Sequence, residues 1–122
     1  MLKVETDKAQ NTLRLTFSQQ VGQREFRQYR AELEAAVEKL QPGFLVLTDL
    51  SRLEEMEYSC VPEIQAMMDL FRKKGVAKIV RVIPDPKKDI GFTVMSYFHY
   101  HDHPVAIVTC ETLAEATKRL SS

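Results

Sequence analysis

The sequence predicts a single-domain α/β fold: a mostly parallel open sheet with an N-terminal antiparallel hairpin and flanking helices. Three observations predict it. Residues 44–47 (Phe-Leu-Val-Leu) are apolar without alternation, the mark of a strand covered on both faces, and such strands belong to parallel sheets flanked by helices. After Arg24, segments with apolar spacings of three and four alternate with short apolar runs, which implies right-handed crossovers and helices on both faces. A chain of 122 residues with 44% hydrophobic content fills one sizeable core and leaves little room for a second domain, so residues 1–122 are read as one unit.

The elements follow in order. Leu2 and Val4 alternate with polar neighbours, as do Leu13, Leu15 and Phe17 after the turn-like Asp7-Lys-Ala-Gln-Asn11, so the chain opens on a β-hairpin. Phe26, Tyr29, Leu33, Ala36, Val37 and Leu40 gather on one face of a helix over 24–40, which Pro42-Gly43 stops. The central strand follows at 44–47. A second helix over 59–74 buries Ile64, Met67, Met68 and Phe71, with Ser59 as N-cap, Pro62 in the first turn and Gly75 as the stop. Residues 76–83 form another strand, closed by Pro84-Asp85-Pro86. Ile90, Val94 and Phe98 define a third helix, 105–109 a last strand and 112–120 a closing helix. The order is ββαβαβαβα.

Charge and cysteine usage narrow the function. The 17 basic and 17 acidic side chains cancel, so no global field draws the chain toward nucleic acid or anionic lipid. Two cysteines, Cys60 and Cys110, are too few to staple a secreted scaffold and lack metal-ligand spacing, which places the protein in a reducing cytoplasm. No apolar run approaches the ~20 residues of a membrane helix, and membrane insertion is not expected. Basic residues Arg72, Lys73, Lys74, Lys78, Arg81, Lys87 and Lys88 fall in the second half, against an acidic loop from Asp49 to Glu57. Such a split suits an acidic partner or a second copy, although solvated helix ends explain most of it.

The order of elements, the apolar strand ending in Asp49-Leu50-Ser51 and the helix starting just beyond resemble the STAS domain, the SpoIIAA-like fold of bacterial anti-sigma-factor antagonists. The likeness spans almost the whole chain. In that family a D-S-S-G motif opens the second helix, and its first serine is phosphorylated by a partner kinase. Here the motif falls on Glu57-Tyr58-Ser59-Cys60: Glu57 keeps the acid, Tyr58 replaces the accepting serine, Ser59 is retained and Cys60 replaces the glycine. The resemblance implies a non-catalytic regulatory module with a protein partner, such as a kinase-type anti-sigma factor, and no cofactor. It marks Asp49, Ser51, Glu57, Tyr58 and Ser59 as the partner-binding or regulatory residues. A helix start offers unpaired N–H groups to an added phosphate, but Glu54, Glu55 and Glu57 set like charges against one.

Two other readings compete. Met56, Met67, Met68, Met95 and Phe98 suit an adaptable pocket for an apolar ligand, as in a SpoIIAA-like lipid carrier, or they simply fill the core. His99, His101 and His103 would project to one side of an extended segment, the arrangement of a three-ligand zinc site. That run lacks one residue of the H-x-H-x-D-H hydrolase signature, and a solvated turn explains it. Nothing else suggests an enzyme: Gly22, Gly43, Gly75 and Gly91 are scattered, and no nucleophile elbow occurs. Cys60 reads as a structural thiol, and Asp49 as an acceptor that fixes the backbone after it.

Overall fold

The structure is a computed structural model that describes residues 1–85 and 105–121. Its strands are β1 (Leu2–Asp7), β2 (Thr12–Val21), β3 (Leu45–Met56), β4 (Lys78–Val82) and β5 (Ala106–Cys110). Its helices are α1 (Gln23–Gln28), α2 (Arg30–Glu38), α3 (Val61–Lys74) and α4 (Leu113–Leu120), with a 3₁₀ turn at Tyr58–Cys60. The sheet order is β1-β2-β3-β4-β5, with β1 antiparallel to β2 and every other pair parallel. The strand after Phe44 is therefore central, as its unbroken apolar run requires.

The hairpin turn is closed by Asp7, whose Oδ1 accepts the Gln10 amide at 3.1 Å, and by Asn11 in the left-handed region at φ 50°. Leu13, Leu15 and Phe17 leave β2 on the face that α1, α2 and α3 cover. There Phe26 meets Phe17 edge-on at 5.6 Å, and Phe71 meets Phe44 edge-on at 6.1 Å. A smaller core of Leu47, Val80, Val82, Cys110 and Ala116 lies under α4 on the other face. Helices thus pack on both sides.

Several boundaries depart from the sequence reading. The helix expected over 24–40 is two helices that break at Tyr29, and Phe26 is buried on the first while Leu33, Ala36 and Val37 are buried on the second. More consequentially, the stretch expected as an acidic loop from Asp49 to Glu57 is strand through Met56. Its second half pairs with the second half of β2, Ser18 opposite Arg52 through Val21 opposite Met56, with one register shift between Thr16 and Ser18 and another between Gln19 and Gln20. Each shift adds a residue to β3, so the buried positions fall at Leu50, Leu53 and Met56, a spacing of three that conceals a strand. Ser59 is likewise not the cap of α3: that position is Cys60, whose side chain makes no capping bond.

The closing strand lies one residue later than expected, and Thr112 caps α4 by accepting the Glu115 amide at 3.1 Å. Arg81 is buried at 2% exposure, and the Lys78 ammonium donates to the Arg119 carbonyl, so neither is a free surface cation. The helix expected at 90–98, the histidine run, Lys87, Lys88, Met95 and Phe98 lie outside the described residues.

Candidate functional site

The site residues named from the sequence occupy two separate stations along β3. Asp49 stands opposite Thr16 of β2 and Val82 of β4, in the middle of the sheet and only 4% exposed. Its Oδ1 accepts both the Ser51 amide at 2.9 Å and the Ser51 hydroxyl at 2.6 Å. Asp49 therefore fixes the backbone that follows it, as expected, but inside a strand. Tyr58 lies beyond the far end of that strand, whose stretch from Asp49 to Met56 runs alongside Thr16 to Val21 of β2, about 17 Å at ~3.3 Å of rise per residue.

The second station is built around Glu57. Its amide donates to the Val21 carbonyl at 3.2 Å, and its carbonyl accepts the Cys60 amide at 2.9 Å, which fixes the 3₁₀ turn. Its side chain reaches the start of α1, where Oε1 accepts the Gln23 amide at 3.2 Å and the Ser59 hydroxyl at 3.3 Å. Met56 and Cys60 anchor the turn in the core on either side. Between them Glu57, Tyr58 and Ser59 face solvent, with Tyr58 86% exposed, and Glu54 and Glu55 are exposed just upstream.

Cys60 is not a reactive thiol. It is fully buried, its Sγ lies 3.6 Å from the Val21 carbonyl, and burial, reinforced by the nearby Glu57 carboxylate, pushes the thiol up from its ordinary value. Among the described residues no group of three His, Cys, Asp or Glu side chains could hold a metal ion. Met56, Met67 and Met68 are buried in the larger core. No helix among the described residues is long and apolar enough to cross a membrane.

No family model matches the chain, and no curated protein matches it. Solved structures do. The unphosphorylated anti-sigma factor antagonist SpoIIAA superposes with a TM-score of 0.69 at 15% identity, over 100% of this chain and 99% of its own. The fold is that of SpoIIAA. An uncharacterized protein of the DUF3478 family from Shewanella loihica PV-4, described as having a SpoIIAA-like fold, superposes with a TM-score of 0.67 at 15% identity, over 98% of this chain and 92% of its own. An anti-sigma factor antagonist from Mycobacterium paratuberculosis does so at 0.60 with 14% identity, over 100% and 96%. Within this SpoIIAA-like fold, two features went unread in the sequence. One is the buried Glu63 of α3, held by Arg27 and Arg30. The other is the polar face of β2 at Thr12, Arg14, Thr16 and Ser18, whose alternation with Leu13, Leu15 and Phe17 was the available signal.

Proposed function

We propose that this protein is a non-catalytic regulatory module that docks a partner protein through the edge where β3 ends and α3 begins. Tyr58 carries the reading. It is an aromatic side chain left 86% exposed on a turn whose backbone is tied at Val21 and Glu57, so little ordering is needed when a partner covers it. Glu54 and Glu55 are exposed beside it, which favours a partner surface rich in Lys and Arg. The SpoIIAA-like fold supports a regulatory role, and a kinase-type anti-sigma factor is a partner of the kind that likeness suggests. Two free, buried thiols suit a cytoplasmic setting.

Docking here does not require phosphorylation. The Ser59 hydroxyl already donates to Glu57, and the neighbouring carboxylates repel an added phosphate. The test is capture from the native host with the unmodified chain, Tyr58→Ala and Ser59→Ala as baits, each checked for unchanged thermal unfolding. One protein should be held by the first and third baits and lost from Tyr58→Ala. Equal recovery by Tyr58→Ala, or no specific protein on any bait, removes the docking edge. A stoichiometric phosphate mass shift at Tyr58 or Ser59 that is needed for capture overturns the phosphate-independent part.

A further inference from the structure

Among the described residues the helices leave part of the sheet's second face uncovered, and that face holds charge without a described counter-charge. The core under α4 is drawn from β3, β4, β5 and α4, so beyond it β2 presents Arg14, Thr16 and Ser18 to a concavity of about 500 Å³. Lys3 and Glu5 of β1 bound it on one side, and Asp49, Ser51 and Arg52 of β3 on the other. The first register shift between β2 and β3 brings Ser51 and Arg52, consecutive residues, onto the same concavity.

Two opposite charges face this space without joining. Arg14 pairs across the strands with Leu47, and Asp49 with Thr16, so the two sit diagonally on one face, about 8 Å apart between Cα atoms by strand spacing and rise. The Nε of Arg14 is buried and has no hydrogen-bond partner among the described residues. Asp49, 4% exposed, has Ser51 for its hydrogen bonds and forms no ion pair among the described residues, while Glu5 is turned to Lys3 at 3.6 Å. A guanidinium and a carboxylate held in this way are costly unless something completes them.

We propose that this concavity is a binding site for a small organic carboxylate that also carries a hydrogen-bond donor, the class of α-amino and α-hydroxy acids. The ligand's carboxylate takes the Arg14 fork, with the Thr16 hydroxyl as a further donor, and its ammonium or hydroxyl group donates to Asp49. Arg52 and Lys3 at the mouth favour entry of the anionic end. The site lies on the opposite side of β3's bulges from Tyr58, and it stands or fails independently of the docking edge.

The test is a titration of the full ¹⁵N-labelled chain with L-serine, L-lactate, acetate and inorganic phosphate, read at the Arg14 Nε–H and Ser51 amide signals. L-serine or L-lactate should give saturable shifts at both signals and bind about tenfold more tightly than acetate, the difference made by a donor on a charged acceptor. Arg14→Gln should abolish the shift at the Ser51 amide, and Arg14→Lys should weaken it while keeping the fold. Asp49→Asn should erase the advantage over acetate. Absence of saturable shifts with serine and lactate, shifts that survive Arg14→Gln, or acetate or phosphate binding as tightly as both donors-bearing acids overturns the proposal.

Discussion

The carboxylate of Glu57 closes over Gly22. Its Oε1 accepts the Gln23 amide at 3.2 Å, and a Cβ on Gly22 would stand 2.9 Å from that same oxygen. The first helix has no cap of its own, since Gly22 offers no side chain, and the residue after β3 supplies one from across the sheet. The turn that displays Tyr58 is thereby tied to the start of α1.

Gly22→Ala and Glu57→Ala should each cost about 1 kcal/mol, the usual cost of losing a helix cap. Gly22 has φ −102° and ψ 167°, a conformation alanine adopts without strain, so the cost comes from displacing the carboxylate. The double variant should therefore be little worse than either single one. Urea unfolding of the four proteins measures the coupling, and additive losses would show that the capping contact contributes nothing.

A different asymmetry is expected at Glu63, which is 5% exposed at the first turn of α3. Its carboxylate meets Arg27 Nε at 3.2 Å and Arg30 Nη2 at 3.4 Å, and both arginine side chains are more than half exposed. Removing the acid leaves two cations in water, so Glu63→Gln should cost no more than about 1 kcal/mol. Removing both cations leaves a carboxylate buried without an ion pair, and Arg27→Ala with Arg30→Ala should cost about 3 kcal/mol. Chemical denaturation decides it. Equal losses from the two sides would mean that the burial of Glu63 is not what sets the energy.

Much of this fold was legible because its apolar patterns are local. The run from Phe44, the alternation at Leu13, Leu15 and Phe17, and the stripe through Ile64, Met68 and Phe71 each state their partner faces directly. The second half of β3 was not legible, because its two bulges replace the strand period by Leu50, Leu53 and Met56, and pairing with β2 is a long-range event. The same error merged two stations into one. Read as a loop, residues 49–57 bring Asp49 close to Tyr58; as a strand, they carry the two well apart. Glu57 was read from its place in a motif, whereas its partner Gln23 is 34 residues away and leaves no trace in local sequence.

The buried thiols predict an alkaline loss of stability. Burial first, then Glu57, raises Cys60 above its ordinary 9.0, and burial first, then Glu115, raises Cys110 from the same value. The folded state therefore holds these protons more tightly than the unfolded chain. Their contribution is fully present below pH 9.0, where both states are protonated, and it falls as pH rises from there through the folded values. Unfolding free energy should drop between pH 8 and 10 by more in the native chain than in Cys60→Ala with Cys110→Ala, compared each with its own value at pH 8. In the folded state at pH 8 neither thiol should react with a disulfide reagent until denaturant is added. Fast labelling without denaturant, or equal alkaline losses, contradicts the burial on which this rests.

The last test concerns Gly75, where α3 hands over to β4. Its φ of 92° and ψ of 45° place it in the left-handed region, and its amide reaches back to the Phe71 and Arg72 carbonyls at 3.1 Å each. An alanine there meets conformational strain and also comes within 3.4 Å of the Pro42 side chain, the residue that turns the chain into β3. Gly43 shares a left-handed φ of 89°, and its amide donates to the Gly75 carbonyl at 2.7 Å, but a Cβ on it would meet nothing within 4 Å. Both substitutions should destabilise by about 1 kcal/mol through backbone conformation alone. Gly75→Ala should lose slightly more, because its methyl also comes up against Pro42, where one on Gly43 meets nothing. Thermal unfolding of the two variants ranks them, and Gly43→Ala proving the worse would show that strain, and not the approach to Pro42, governs this corner.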